Sequence, residues 1–172
     1  MHKRITIYLF CIGLFFFFGC THKAKREVYK PAKANYKTGQ ITAKLFARGK
    51  YRSKKFNSIE ASPYDLGVWF KPNQDISGKV TIINIQLIDA KNNIAFDEFE
   101  KIEQPILKNS FGEPTASFYF ENLKLRYKKY KLFLTFLVAN ENDIEKENTL
   151  LDLEKDYQEY DYNPVWSAIK GH

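Results

Sequence analysis

The residue types that most often perform enzymatic chemistry lie near the two ends of this 172-residue chain. Its histidines are His2, His22 and His172, and its cysteines are Cys11 and Cys20. A domain without an interior histidine or cysteine cannot build a Ser-His-Asp or Cys-His nucleophile system, and it lacks the usual zinc ligands. We therefore expect no internal disulfide, no metal site and no cofactor.

Two clusters of carboxylates are the remaining candidates for catalysis. They are Asp97, Glu98 and Glu100 in the middle of the chain, and Asp152, Glu154 and Asp156 near its end. Paired carboxylates hydrolyse glycosides when a cleft holds them at a suitable separation, so a hydrolase of envelope polysaccharide is one alternative function. No Asp-x-Asp-x-Asp-Gly calcium loop is present. Acids that are close in sequence on short edge segments usually face water, so we favour a protein that is not an enzyme.

The N-terminus has the features of an export signal. Lys3 and Arg4 precede the apolar run 5–18, which Thr6 alone interrupts. As a helix this run is about 21 Å long, because each residue adds ~1.5 Å. A membrane span needs about 20 residues, so the run is too short to cross a bilayer and is typical of a secretory signal.

The run ends in Phe17-Phe18-Gly19-Cys20, which resembles the lipobox of bacterial lipoproteins. The resemblance covers about the first 20 residues and implies cleavage between Gly19 and Cys20. Cys20 would then be the acylated N-terminus, and two or three acyl chains hold a protein on a membrane essentially permanently. Thr21 follows the cysteine where an aspartate often signals inner-membrane retention. The resemblance therefore implies an outer-membrane lipoprotein whose domain lies in the periplasm, if the organism has two membranes.

Three segments follow from this interpretation: a signal peptide at 1–19, a lipidated basic tether at 20–39 and a single domain at 40–172. The tether is predicted because residues 21–39 are rich in lysine and poor in bulky apolar side chains. The formal net charge of +7 is unevenly distributed. Residues 21–56 contain twelve basic side chains and one acid, whereas 141–161 contain nine acids and two lysines.

The body of the chain has the pattern of an antiparallel, immunoglobulin-like β-sandwich. Apolar residues alternate in 41–48, 66–70, 77–87 and 115–120, with turn residues between them, and 131–139 is apolar on both faces like a central strand. Tyr130 precedes that central strand and resembles the corner tyrosine of immunoglobulin-like domains, which bonds back to the preceding loop. Residues 144–157 are compatible with one short amphipathic helix or with an acidic loop and a last strand.

The aromatic content favours protein binding. Not all of the tyrosines can be buried, and tyrosine beside charge is typical of recognition surfaces. Candidate contact residues are Trp69, Trp166, Tyr127, Tyr157 and Tyr160. The basic, tyrosine-containing run 124–131 would suit nucleic acid, but an exported protein rarely meets one, so we expect a solvated loop or an anionic partner.

The expected function is therefore that of a membrane-anchored lipoprotein whose sandwich binds another protein in the periplasm. It would be a component of an envelope or secretion assembly, as small sandwich lipoproteins of type VI secretion systems are, or an immunity or inhibitor protein. The alternatives are the polysaccharide hydrolase and a carrier with a small ligand between its sheets.

Overall fold

A computed structural model describes residues 22–52, 58–73, 77–140 and 143–162, with the backbone alone described for 22–27, 49–52, 58–61, 157–158 and 160–162. All regular elements in these ranges are strands, which confirms the predicted all-β class. The strands are β1 His22–Tyr29, β2 Ala32–Tyr36, β3 Gly39–Arg52, β4 Ser58–Pro72, β5 Gly78–Asp89, β6 Ile94–Glu98, β7 Ile102–Pro105, β8 Leu107–Lys108, β9 Pro114–Leu123, β10 Tyr130–Asn140, β11 Ile144–Leu153 and β12 Lys155–Tyr162.

The strands form two facing sheets. One contains the path β12-β1-β4-β3-β2, with β9 pairing both β4 and β8. The other has the order β11-β10-β5-β6, and β7 pairs β5. The runs β3-β4-β9-β8 and β6-β5-β10-β11 follow the A-B-E-D and C′-C-F-G orders of an immunoglobulin-like sandwich. β1, β2, β7 and β12 are additions to that plan.

The inner faces carry the predicted alternation. Ile41, Leu66 and Phe118 are buried on the first sheet, and β10 contributes Leu134 and Phe136 from its place between β5 and β11. Several rings meet edge to face in the core. The pairs Phe70–Phe136 at 4.9 Å and Tyr36–Phe136 at 5.7 Å between centroids join the two sheets, and Phe70–Phe118 at 5.6 Å lies within the first. Such pairs add about 0.5–1.5 kcal/mol each beyond their buried area.

The pattern on β5 differs from its expected phase. Strict alternation predicted Thr81, Ile83, Ile85 and Leu87 on the inner face. Ile85 and Leu87 are buried as expected, but the register against β10 shifts next to them, and Ile82 is the inward residue beyond that shift. A bulge inserts one residue and so reverses the facing of every residue that follows it.

The tyrosine corner is present. The hydroxyl of Tyr130, at the start of β10, donates to the carbonyl of Arg126 at 2.9 Å. A second tyrosine fixes the same loop from the other side, because the buried Tyr29 donates to the carbonyl of Lys128 at 2.7 Å and accepts from its N–H at 3.2 Å. Burial raises the pKa of Tyr29, so its hydroxyl stays protonated and able to donate.

The turn between β5 and β6 is held by one carboxylate. Asp89 accepts from the N–H groups of Lys91 and Asn93, and Lys128 approaches its other oxygen at 2.6 Å. The Lys128 bond and the Asn93 bonds together hold the pKa of Asp89 well below its usual range. This side chain therefore links the β5–β6 turn to the basic run 124–131.

Two predictions about the ends of the chain are wrong within the described residues. Residues 144–157 form no helix, and of the alternative only the last strand is present: the expected acidic loop is the strand β11, because β10 pairs with β11 along its whole length and Leu151 and Leu153 are buried against the core. Residues 22–36 are not a flexible tether, since β1 and β2 are strands of the first sheet. In the part of the chain that the structure describes, no helix is long and apolar enough to cross a membrane.

Candidate functional site: an exposed aromatic patch

Three aromatic side chains form a patch on the outer face of the first sheet. Phe46 on β3, Trp69 on β4 and Tyr119 on β9 lie on neighbouring strands, and we call this group the aromatic patch. The indole of Trp69 lies between the other two rings, with centroid distances of 6.0 Å to Phe46 and 5.8 Å to Tyr119. Both contacts are edge to face, at 87° and 83°. Phe46 and Tyr119 remain 39% and 60% exposed.

The sheet is shaped to hold the indole against its surface. Gly67 lies two residues before Trp69 on the same face, and a Cβ added there would be 2.4 Å from the indole Cη2. The missing side chain thus lets the ring lie on the strand itself. The indole N–H donates to the Tyr119 hydroxyl at 3.1 Å, which fixes the ring orientation. The patch is therefore ordered before any partner arrives, and pre-organisation reduces the entropy cost of binding.

Charged pairs surround the aromatic patch. On one side Arg48 approaches Asp65 at 2.6 Å and Glu121 at 3.1 Å. On another side Lys71 pairs with Glu113 at 2.5 Å. Burial alone would raise the pKa of Asp65, but the bonds from Arg48 and from a backbone N–H of β9 outweigh it and lower that pKa. Apolar rings inside a rim of balanced charge have the composition of a protein interface, with its aromatic centre and polar edge.

A second exposed aromatic lies at the tip of the β8–β9 hairpin. Phe111 is 87% exposed. Its turn is rigid, because the Asn109 side chain accepts from the N–H groups of Phe111 and Glu113 and Gly112 adopts a positive φ of 78°. The hairpin lies at the end of the sheet where β4 finishes, since Pro114 begins β9 beside that end.

The sequence-predicted contact residues have different surroundings. Trp69 belongs to the aromatic patch. Tyr127 is half-buried, lies 5.3 Å from the Tyr29 ring and donates to the carbonyl of Val28 at 3.2 Å. The Lys155 ammonium covers its ring at 4.3 Å. Tyr127 therefore helps to hold β1 and β12 on the sandwich.

Less can be said of the other predicted site residues, because their side chains lie outside the described part of the structure. Tyr157 and Tyr160 lie on β12, paired with Glu27 and Ala24 of β1, and their side chains are not described. Trp166, Gly19 and Cys20 fall outside the described residues. Of the five predicted aromatics, only Trp69 and Tyr127 have described side chains, and these two have separate surroundings.

The carboxylate clusters are placed like surface charges. Glu154 pairs with Lys129 at 3.2 Å, and Asp156 lies 3.9 Å from Lys30. Glu98, at the end of the edge strand β6, accepts from the backbone N–H of Glu100. Among the described side chains, no three His, Cys, Asp or Glu residues are arranged to hold a metal.

Sequence reasoning missed Phe46, Tyr119 and Phe111. The first two could have been found, because each lies between inward residues of a correctly predicted strand and must face outward: Phe46 follows Leu45, and Tyr119 lies between Phe118 and Phe120. Their proximity to Trp69 needed the strand order as well. Alternation alone does not reveal which strands are neighbours.

Comparisons with known proteins add little to this geometry. No protein-family model matches the chain, and no curated protein does. Among solved structures, the structural genomics target SoR45 has a TM-score of 0.27 at 6% identity, covering 80% of this chain and 84% of its own. The putative ApaA protein of Bordetella pertussis has a TM-score of 0.30 at 9% identity, covering 72% of this chain and 95% of its own. FetP of uropathogenic Escherichia coli strain F11, expressed in the periplasm of E. coli, has a TM-score of 0.32 at 14% identity. It covers 78% of this chain and 95% of its own. Scores this low carry no argument about function.

Proposed function

We propose that this protein is a lipoprotein, fixed to a membrane through acylated Cys20, whose sandwich binds another protein in the periplasm through the aromatic patch. The observation that carries the binding proposal is the pre-ordered aromatic patch, in which the exposed Phe46 and Tyr119 flank the half-buried Trp69. Tryptophan and tyrosine in the centre of a contact surface dominate binding energy, whereas rim charges contribute mainly specificity.

Outer-membrane location is part of the proposal and depends on the lipobox resemblance at Gly19 and Cys20. The partner would belong to an envelope or secretion assembly, or it would be a toxin or hydrolase that this protein inhibits. The balanced charge around the aromatic patch favours a partner surface of low net charge. The tightly packed rings between the sheets give the carrier alternative no support, and the scattered acids give the hydrolase alternative none.

Site-specific photo-crosslinking in cells tests the binding proposal. A photoreactive phenylalanine at position 119 should yield one discrete protein adduct, because that side chain lies within the aromatic patch. The same probe at Asn148, which is exposed on β11 of the other sheet, is the matched control. Trp69→Ala should weaken partner affinity by about 2 kcal/mol, or roughly 30-fold, while the fold survives. Equal adducts from both positions, or full affinity in the Trp69 variant, would refute the assignment of the aromatic patch.

Lipidation has its own test. Cys20→Ser should abolish incorporation of labelled palmitate and release the protein from the membrane fraction. If the unaltered chain takes up no palmitate, the membrane part of the proposal is wrong, whatever the crosslinking shows.

A further inference from the structure

The sandwich begins almost directly after the proposed lipidation site. β1 starts at His22, so Thr21 alone separates it from Cys20. Two extended residues span at most about 7 Å. An acylated Cys20 would therefore hold the first residue of β1 within a head group's thickness of the bilayer.

The topology identifies which other backbone shares that end of the molecule. β12 ends there, because His22 pairs with Tyr162. The end of β3 and the start of β4 lie on the same side, since Ser58 pairs with Arg52 of β3 and, in the parallel sense, with Arg26 of β1. Phe111 lies at the opposite end of the sheet. β4 is 15 residues long, so the two ends are about 50 Å apart at ~3.3 Å per residue.

One row across these strands concentrates positive charge. Pairing places Gln158, Arg26, Ser58 and Arg52 side by side on four neighbouring strands, and so on one face of the sheet. Among the described strands, this row contains no carboxylate. The next basic residue towards the terminus, Lys25, is opposite Glu159 instead. The two arginines are separated by two strand spacings, about 10 Å, with a serine between them. Arginine is the side chain best suited to phosphate, because its planar guanidinium donates in pairs.

We propose that this end of the sheet rests directly on the bilayer and that the row Arg26–Ser58–Arg52, which we call the arginine row, binds the phosphates of anionic phospholipids. The inference depends on the proposed acylation of Cys20. It gives the domain a fixed seat on the membrane rather than a tethered, freely rotating one. The lipid surface is the occupant because the short connection from Cys20 leaves no room for a protein between them.

Head-group quenching on vesicles tests this seat with the complete acylated chain. Acylation blocks Cys20, so a cysteine introduced at position 162 or 110 can be labelled alone with a fluorophore. Position 162 is distant from Cys20 in sequence and close to it only through the β1–β12 pairing, whereas 110 is at the far hairpin. On vesicles of phosphatidylcholine and phosphatidylglycerol with a nitroxide head group, we expect quenching at 162 and none at 110.

Charge variants then test the arginine row. Arg26→Gln with Arg52→Gln should shift the ratio of seated to unseated molecules by roughly 30-fold, since each basic residue at an anionic surface contributes about 1 kcal/mol. Arg26→Lys with Arg52→Lys, which keeps the charge, should restore most of the quenching and shows that the sheet end still folds. Lys33→Gln with Lys44→Gln is the matched control. Pairing places Lys33 level with Trp69 and Lys44 opposite Gly67, so both lie nine or more residues along β4 from Ser58, about 30 Å or more from the arginine row, and their loss should change nothing.

Each outcome is decisive. If mass spectrometry finds no acyl chain on Cys20, the proposed function fails. If Cys20 is acylated but position 162 is no more quenched than 110, the seat is wrong while the lipoprotein assignment survives. Equal quenching on pure phosphatidylcholine, whose head group carries a phosphate but no net charge, or equal loss from both charge pairs, overturns the binding of anionic phospholipids by the arginine row.

Discussion

Removing the hydroxyl of Tyr29 should destabilise the domain more than removing the hydroxyl of Tyr130 or that of Tyr119. Tyr29 is 1% exposed and makes two bonds to the backbone of Lys128, at 2.7 and 3.2 Å. Phenylalanine keeps the ring and leaves both backbone groups without their partner. A net hydrogen bond is worth about 1 kcal/mol, and an unsatisfied buried group costs more, so Tyr29→Phe should lower the free energy of unfolding by about 2–3 kcal/mol.

Two comparison variants show how much stability the loss of a hydroxyl costs at less demanding positions. Tyr130→Phe removes one bond, at 2.9 Å, and should cost about 1 kcal/mol. Tyr119→Phe removes a hydroxyl from an exposed side chain and should stay within about 0.5 kcal/mol of the unaltered protein. Urea unfolding of the mature chain carrying Cys20→Ser gives all three values, compared at equal m-value.

The result that refutes the reasoning is a Tyr29→Phe midpoint close to that of Tyr119→Phe. β1 would then not be docked on the sandwich, and the segment after Cys20 would behave as the flexible tether that composition predicts. Hydrogen exchange in β1 would separate the two cases, because a docked strand protects its amides and a tether does not. The proposal that the arginine row rests on the membrane would then also fail, because it requires β1 to be docked on the sandwich.

Three further outcomes follow from the geometry. The free energy of unfolding should fall as pH drops below about 4, because Asp89 has a lowered pKa in the folded state and the unfolded chain takes up its proton first. Asp89→Asn removes this carboxyl, so urea titrations across pH should show a less steep fall for that variant. Gly67→Ala should displace the indole of Trp69, change the near-ultraviolet circular dichroism and weaken partner binding as Trp69→Ala does, with little loss of stability because the ring can swing outward. Lys25→Glu should lower the free energy of unfolding by about 0.2–1 kcal/mol, because two carboxylates would then face each other across the β1–β12 pair. Adding Glu159→Lys should return the urea midpoint to that of the unaltered protein. A double variant that stays as unstable as the single one would contradict the register.

The core of the fold was predictable because alternation is strong where one face of a strand is buried. The inward positions of β3, β4, β9 and β10 and the corner bond of Tyr130 all followed from sequence. The bulge on β5 did not, since an inserted residue leaves no mark in the apolar pattern until the partner strand is known. Among the site residues, Trp69 was predicted to be a contact residue, but its neighbours depended on strand order.

The two ends of the chain were mispredicted for a common reason. Each is too polar to form an element alone, so composition suggested a tether at one end and a helix or loop at the other. In the fold they pair with each other, and the register places Lys23 opposite Asp161 and Lys25 opposite Glu159. The match between a mainly basic β1 and a mainly acidic β12 is a property of the pair. A window that covers one strand at a time cannot detect it.

This pairing also constrains how a partner could reach the aromatic patch. Trp69 lies 11 residues along β4 from Ser58 of the arginine row, about 35 Å at ~3.3 Å per residue. A domain seated on its arginine row would present Phe46, Trp69 and Tyr119 sideways, well above the head groups and beyond the ~10 Å over which surface charge acts. The partner would then be a soluble or projecting protein, and lengthening the connection after Cys20 with glycine and serine should leave its affinity unchanged. A partner that lies flat in the membrane would instead bind better when the connection is lengthened, and that result would contradict the seated arrangement.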